Sequence, residues 1–548
     1  MADGNGLGDR LLALVPRVAD GAGPVLGRPR REQRQPLLEE GRLNEKIVRC
    51  KQIRDVVVHM SDLFVLTATW PPRHANPSPA AHPTAPGQPP NGPPCHRHPA
   101  RGWGPVGRWS VVRASSPLVV ARSAELCVVV SVRDGRTLEY MSPKPPEGEA
   151  PPPDGGLPAA ALVELPQRAF GIYIHVPYCA TRCGYCDFNT YTAAELGGGA
   201  SAASFATTAI AELALAARVL GDGTPPVDTV FFGGGTPTLL PPADLGALLA
   251  AVDDTFGLRP GAEVTTEANP ESVDAVALEQ LRAAGFTRIS FGMQSARPHV
   301  LATLDRRHTP GRLPDVVCWA RKAGFEQVSV DLIYGAPGES DRDWAASLAA
   351  AIELAPDHVS AYALTVEDGT RLFRRVRRGE LLEPDDDLLA DRYVQADEML
   401  AAAGLTNYEV SNWASGRDAW CRHNLGYWRG DTWWGVGPGA HSHVGGARWW
   451  NVRHPTEYTE RLRSGRSPAQ ARELVDTDAR YVERVMLAVR MSDGLPAAEL
   501  TEAGRSSLAE LAATGLLDRA ALADGRIKLT RDGRLLTDTV VRALLPDL

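Results

Sequence analysis

The chain has 548 residues, 23% of them charged, and a formal net charge of −8. It is too long for a single hydrophobic core, and it lacks the basic field with which nucleic-acid binders offset phosphate, so no nucleic-acid partner is expected. It contains no run of eighteen apolar residues and no charged, apolar, small-residue sequence at the N-terminus, so an unexported, cytoplasmic protein is expected.

Residues 1–165 differ from the rest. Stretches such as ANPSPAAHPTAPGQPPNGPP (75–94) and EGEAPPPDGG (147–156) carry little apolar periodicity. Such composition cannot bury enough surface to offset ordering entropy, which predicts a disordered Pro/Ala/Gly-rich extension with only a short helix near 36–58 and a strand at 126–132. By count, residues 1–140 carry about +7 and the remainder about −15, an asymmetry that marks a junction. Met141 opens an acidic leader at that junction and is a candidate natural start.

From Phe170 onward, β-rich runs alternate with Ala/Leu-rich helical ones. Strands are expected at 171–176, 229–234, 263–269, 288–293, 328–335 and 358–365. Helices are expected at 201–220, 243–256, 272–284, 312–323 and 341–355, the last capped by Ser340 and Asp341. Six such units cannot close an eight-stranded ring, so the fold class is α/β, a partial, open six-unit β/α barrel over 166–370. Its chemistry belongs at the C-terminal strand ends, where CATRC, GGGTPT, Glu267, Asn269, Gln294 and Asp331 gather. Residues 371–465 read as a barrel extension rich in aromatic and His residues, and 466–548 as a mostly helical, winged-helix-like domain. The helix 534–545 has no basic recognition face.

The eight cysteines are too few for a disulfide scaffold in so long a chain, and Cys179, Cys183 and Cys186 crowd into eight positions. Thiolates of this kind suit Zn, Cu(I) or an iron–sulfur cluster. Three thiolates on a cubane leave one iron open to a further ligand. A zinc knuckle completed by His175 is the alternative, opposed by the fixed direction of a side chain inside a strand. The spacing resembles the signature of the radical S-adenosylmethionine superfamily over roughly 168–545, and more closely its anaerobic coproporphyrinogen-III oxidase-like family. That resemblance implies a [4Fe-4S] cluster on Cys179, Cys183 and Cys186 whose open iron takes S-adenosylmethionine, the source of a 5′-deoxyadenosyl radical. It also implies cofactor contacts from Tyr173, the Phe188 backbone, Gly234, Gly235, Thr236 and Glu267, with Gln294, Arg306 and Asp331 matching contacts to a second S-adenosylmethionine.

The oxidases of that family carry a fourth cysteine two residues after the third, where this chain has Phe188. The chain also has Cys421-Arg422-His423-Asn424-Leu425-Gly426-Tyr427-Trp428, containing the H-N-x-x-Y-W motif of the haem-chaperone branch. Around it stand Trp420, Trp433, Trp434, Trp449, Trp450, His441 and His443. Flat rings suit a tetrapyrrole, and an imidazole is a standard axial ligand, so His423 is the candidate haem ligand. The other reading of this segment is a hydrophobic seam between barrel and C-terminal domain. The resemblance thus implies a protein that binds haem and transfers it to an acceptor protein, such as a membrane-bound respiratory enzyme, and assigns no catalytic residue. The alternative is an oxygen-independent coproporphyrinogen III oxidase, and whether the chain is an enzyme at all stays open at this point.

Overall fold

The computed structural model describes residues 148–196, 202–307, 309 and 311–546. Six strands pair in parallel and in chain order: β1 (Phe170–Val176), β2 (Val227–Gly234), β3 (Leu258–Ala268), β4 (Arg288–Gln294), β5 (Gln327–Tyr334) and β6 (His358–Ala363). They fall where the apolar runs predict them, because strands covered on both faces have almost no exposed positions; every residue of β4 but Gln294 is buried. The crossover helices Ala202–Leu220, Pro242–Phe256, Ala275–Ala283, Arg312–Ala323 and Asp341–Glu353 supply the outer layer. The last is entered through a capping box between Ser340 and Asp343, so Ser340 is the cap and Asp341 the first helical residue. Ala202–Leu220 is, among the described residues, the one helix long and apolar enough to cross a membrane. Here its residues Ala209, Leu213 and Ala216 are fully buried in the barrel core.

The barrel stays open, and both free edges are extended. Beside β6 lie β8 (Asn412–Ala414) and β7 (Thr406–Glu409), both running antiparallel to their neighbours. Beside β1 lies β9 (Thr432–Val436), parallel to it, followed by antiparallel β10 (His441–Val444), β11 (Ala447–Asn451) and β12 (Ala469–Leu474). Register aligns Gly171, Trp433, His443 and Arg448 in one rung, and two residues along it pairs Tyr173 with Gly435 and His441 with Trp450. Residues on one rung share a face. The inner surface of the barrel therefore continues past β1 as a wall of aromatic and imidazole rings.

Two expected boundaries move. Residues 148–165, placed with the disordered extension, are packed: the Glu149 backbone pairs with Arg472 on the outer edge of β12, the helix Ala159–Glu164 buries Ala161, and Leu165 enters the main core. Glu164 receives two bonds from Arg480, at 2.8 and 2.5 Å. Few apolar residues suffice here because the sheet edge supplies backbone partners. The helix and strand proposed at 36–58 and 126–132, and Met141, lie outside the described residues. The C-terminal unit begins later than 466, since β12 belongs to the large sheet and the first helix of the unit is Thr477–Ala488. Five shorter helices and the ribbon β13 (Leu495–Pro496) with β14 (Arg526–Ile527) complete it. Its core, including Val485, Leu511 and Val540, takes in Tyr408, Leu425 and Trp428. The seam reading of the aromatic segment therefore holds for Trp428, while Trp434 and Trp449 belong to the barrel core.

Candidate functional site

A cavity of about 470 Å³ occupies the barrel interior and opens at the C-terminal strand ends. Cys179, Cys183 and Cys186 stand at its mouth on the loop after β1, all partly exposed. The loop is pinned on both sides, by Cys179 N donating to Tyr191 O (3.0 Å), Gly184 N to Leu304 O (3.0 Å) and Leu372 N to Gly184 O (2.7 Å). A Cβ at Gly184 would lie 2.5 Å from Asp305 Oδ2, so a side chain there would have to displace that carboxylate. Burial pushes the Cys179 thiol up, and burial together with Cys183 pushes Cys186 up to about 12. A bound metal that supplies compensating charge would favour the thiolate form that burial disfavours. Among the described residues no three His, Cys, Asp or Glu side chains are grouped to hold one metal ion. His175 is committed elsewhere, its Nδ1 to Tyr173 Oη and its Nε2 to Asn189 O, each at 2.9 Å.

The glycine-rich loop follows β2. Gly234 sits at φ +104°, and a Cβ there would meet the His175 ring at 2.6 Å; at Gly235 it would meet Tyr178 O at 2.5 Å. Gly235 N and Thr236 N donate to Val176 O and Tyr178 O, both at 2.8 Å. The close approach these glycines permit is thus to the cysteine loop itself. Thr236 Oγ1 reaches Cys179 Sγ at 4.0 Å. Glu267 accepts from Gly234 N at 3.2 Å, and burial plus the nearby Asp331 raise its carboxyl to about 8. Asp331, itself raised by burial, accepts from Ser290 Oγ at 2.9 Å. Gln294 adopts φ 63°, uncommon for a residue with a side chain. Arg306 donates to Gly292 O at 3.0 Å and to Cys183 Sγ at 3.7 Å, so it faces the cysteine side of the cavity. Phe188 also lines the cavity.

The H-N-x-x-Y-W segment forms the cavity floor. Its helix, Arg422–Arg429, aims its N-terminus into the barrel, where Glu263 accepts from Arg422 N and His423 N, each at 3.0 Å. A carboxylate on those unpaired N–H groups matches the positive end of the helix. Sequence reasoning missed Glu263; a lone acid in a strand-like run was the signal. His423 is 4% exposed, stacked on Phe231 at 5.2 Å, with Nδ1 bonded to Thr229 Oγ1 (2.8 Å) and Nε2 to Tyr427 Oη (2.9 Å). Burial lowers it to about 3, so the ring is neutral.

An open β/α barrel with three cysteines after its first strand, a glycine-rich loop after its second and a small helical C-terminal unit is the architecture of a radical S-adenosylmethionine protein. The comparisons agree. The radical SAM superfamily model matches residues 173–351 and the HemN C-terminal domain model residues 475–536. A Mycobacterium tuberculosis protein named "Heme chaperone HemW" is 53% identical over 384 residues, covering 70% of this chain and 97% of that one. The protein of that name from Escherichia coli is 32% identical over 398 residues, 70% of this chain and all of that one. The solved coproporphyrinogen III oxidase (HemN) of E. coli, described as a radical SAM enzyme, superposes with a TM-score of 0.62 at 22% identity, covering 75% of this chain and 98% of that one. This last likeness concerns the fold. The chain belongs to the radical S-adenosylmethionine superfamily and, within its HemN-like group, to the HemW family. Membership implies a [4Fe-4S] cluster and S-adenosylmethionine.

Proposed function

We propose that this chain is a haem chaperone, binding haem and passing it to an acceptor protein while carrying a [4Fe-4S] cluster and S-adenosylmethionine. The observation that carries the reading is the 53% identity, over nearly the whole of the relative, to a protein named for that task. Phe188 in place of a fourth cysteine and the ring-lined wall beside β1 support it.

In this reading Cys179, Cys183 and Cys186 hold the cluster. Tyr173, Phe188, Gly234, Gly235, Thr236 and Glu267 border the S-adenosylmethionine beside it, and Gln294, Arg306 and Asp331 line the next part of the cavity. When bound, S-adenosylmethionine supplies radical chemistry on one-electron reduction. The protein's own contribution is to fix the cysteine loop through Gly184, Gly234 and Gly235. It also keeps Glu267 protonated near neutral pH, able to donate as well as accept. A cytoplasmic site of action and a membrane-bound respiratory acceptor fit the haem-delivery role.

The second reading, an oxygen-independent coproporphyrinogen III oxidase, is favoured only by the fold of HemN. Anaerobic reconstitution followed by haem titration and by incubation with coproporphyrinogen III separates the two. Saturable haem binding without decarboxylation is expected, and steady conversion to protoporphyrinogen IX reverses the assignment.

A further inference from the structure

The interior of a parallel β/α barrel is ordinarily filled by branched apolar side chains. Here the inward positions of neighbouring strands are polar. Register places Glu267, Ser290, Ser329 and His358 on one rung, and Thr265 beside Arg288 two residues nearer the barrel floor. All six line the cavity. Most of these groups are engaged with one another or with close neighbours. His358 bonds to Ser329 and Tyr408 at 2.8 Å each, and Ser290 donates to Asp331 at 2.9 Å.

Arg288 is the exception. It is 2% exposed, and its Nη1 donates to Ala419 O at 2.9 Å, on the chain that leads into the helix Arg422–Arg429. Its Nη2 has no hydrogen-bond partner among the described residues, and neither has the buried Thr265 hydroxyl on the adjacent strand. A buried charged donor left unpaired is costly, and such groups in native proteins ordinarily meet a partner. The neighbouring acids are already engaged. Glu263 holds the N–H groups at the helix N-terminus, Asp331 accepts from Ser290, and Glu267, raised to about 8 by burial and by Asp331, is protonated near neutral pH. The same helix brings a further polar group to the floor: Asn424, half-buried, follows Cys421 by one helical turn, and both line the cavity.

We propose that the barrel floor is a carboxylate-binding site, with Arg288 Nη2 as the charged donor and Thr265 Oγ1 and the Asn424 side-chain amide as the hydrogen-bonding groups beside it. A guanidinium anchored through one nitrogen presents the other to a planar oxyanion, and the bond is strong because the site is shielded from water. The inference rests on the haem-binding reading above for one source of the carboxylate, a propionate arm of the tetrapyrrole reaching down the cavity; a free small carboxylic acid offers the same chemistry. It gives the asparagine of H-N-x-x-Y-W a ligand-binding task in a segment where both nitrogens of His423 are already bonded within the protein.

The test compares haemin with haemin dimethyl ester, whose carboxylates are blocked, by Soret titration of the anaerobically reconstituted full chain, and follows the melting temperature in sodium propionate. The wild type should bind haemin at least tenfold more tightly than the ester, and Arg288→Met should abolish the preference by weakening haemin alone. Asn424→Ala and Thr265→Val should each narrow it several-fold, with iron–sulfur content and far-UV circular dichroism unchanged; a merely structural role weakens both ligands alike. If a free acid is the occupant, haemin and ester bind equally, and propionate raises the melting temperature of the wild type but of none of the three variants. A preference that survives in Arg288→Met overturns the site, as does equal binding of the two haemins without a propionate effect that depends on these residues; the chaperone reading then stands. Should Arg288→Met fail to fold, an unchanged preference in both Asn424→Ala and Thr265→Val overturns it. If the wild type binds no haemin, the chaperone reading falls and the propionate measurement alone decides the site.

Discussion

Replacing Glu212 perturbs a carboxyl that no pattern in the sequence marks. It is fully buried on the helix Ala202–Leu220 and accepts from Tyr458 Oη (2.5 Å), Gly437 N (2.8 Å) and Asn451 Nδ2 (2.7 Å). One side chain thereby joins an outer helix to the turn after β9, the end of β11 and the helix Pro455–Arg463. Glu212→Ala leaves the buried Tyr458 Oη and Gly437 N without this acceptor and costs Asn451 Nδ2 one of its two, the other being Gly437 O at 2.9 Å, each buried donor left unpaired being worth roughly 1–3 kcal/mol. Water entering the vacated space recovers part of that, so a loss of about 3–5 kcal/mol is expected. Burial raises the Glu212 carboxyl from 4.5 to about 7. Between those values the folded state binds more protons than the unfolded state, so its stability is greatest below about 4.5 and falls as pH rises through 7. The decline attributable to this group is roughly 3 kcal/mol. Glu212→Gln cannot ionise, so its stability should vary less between pH 5 and pH 8 than that of the wild type. Guanidinium denaturation of wild type, Glu212→Gln and Glu212→Ala at both pH values reads this directly. The reasoning is refuted if the Gln variant keeps the wild-type pH dependence, or if the Ala variant is within about 1 kcal/mol of wild type, the size of an ordinary substitution.

Other consequences are equally open to measurement. Cys186→Ser should remove most of the iron, sulfide and charge-transfer absorbance after anaerobic reconstitution, and wild-type iron content in that variant contradicts a cluster on this triplet. Gly234→Ala places a Cβ 2.6 Å from the His175 ring at φ +104°; a destabilisation of about 1–3 kcal/mol and at least tenfold weaker S-adenosylmethionine binding by equilibrium dialysis are expected, and an unchanged melting temperature and affinity argue otherwise. Arg392 and Glu339 form a 2.9 Å ion pair with side chains 2% and 0% exposed. Arg392→Ala strands a buried carboxyl and should cost about 3–5 kcal/mol in thermal denaturation, with Glu339→Gln added in the same chain restoring part of it; equal stability of single and double variants removes the pair from the account.

The strands β1–β6 were legible because each is covered on both faces and so reads as an apolar run, and the cysteine triplet because three soft ligands at fixed spacing have few other uses. Strands β7–β12 were not. Segments such as His441–Val444 and Ala447–Asn451 are four and five residues long, and their Trp and His residues read equally as seam or binding surface. The seam reading holds for Trp428, while Trp434 and Trp449 belong to the barrel core. The Pro-rich residues 148–165 looked disordered because local composition does not reveal a waiting sheet edge.

What the sequence by itself determined is the local chemistry: where thiolates cluster, where only glycine fits, and which runs are apolar enough to form an interior. Tertiary structure decided which polar groups are already satisfied. Glu263 meets the backbone of His423 from 160 positions away, and Glu212 meets Tyr458 from 246. His423 stood out in the chain as a motif residue, yet only folding brings Thr229 and Tyr427 onto its two nitrogens and sets His441 beside Trp450. A hydrogen bond depends on distance in space and leaves no periodic trace along the chain when its partners are far apart in sequence.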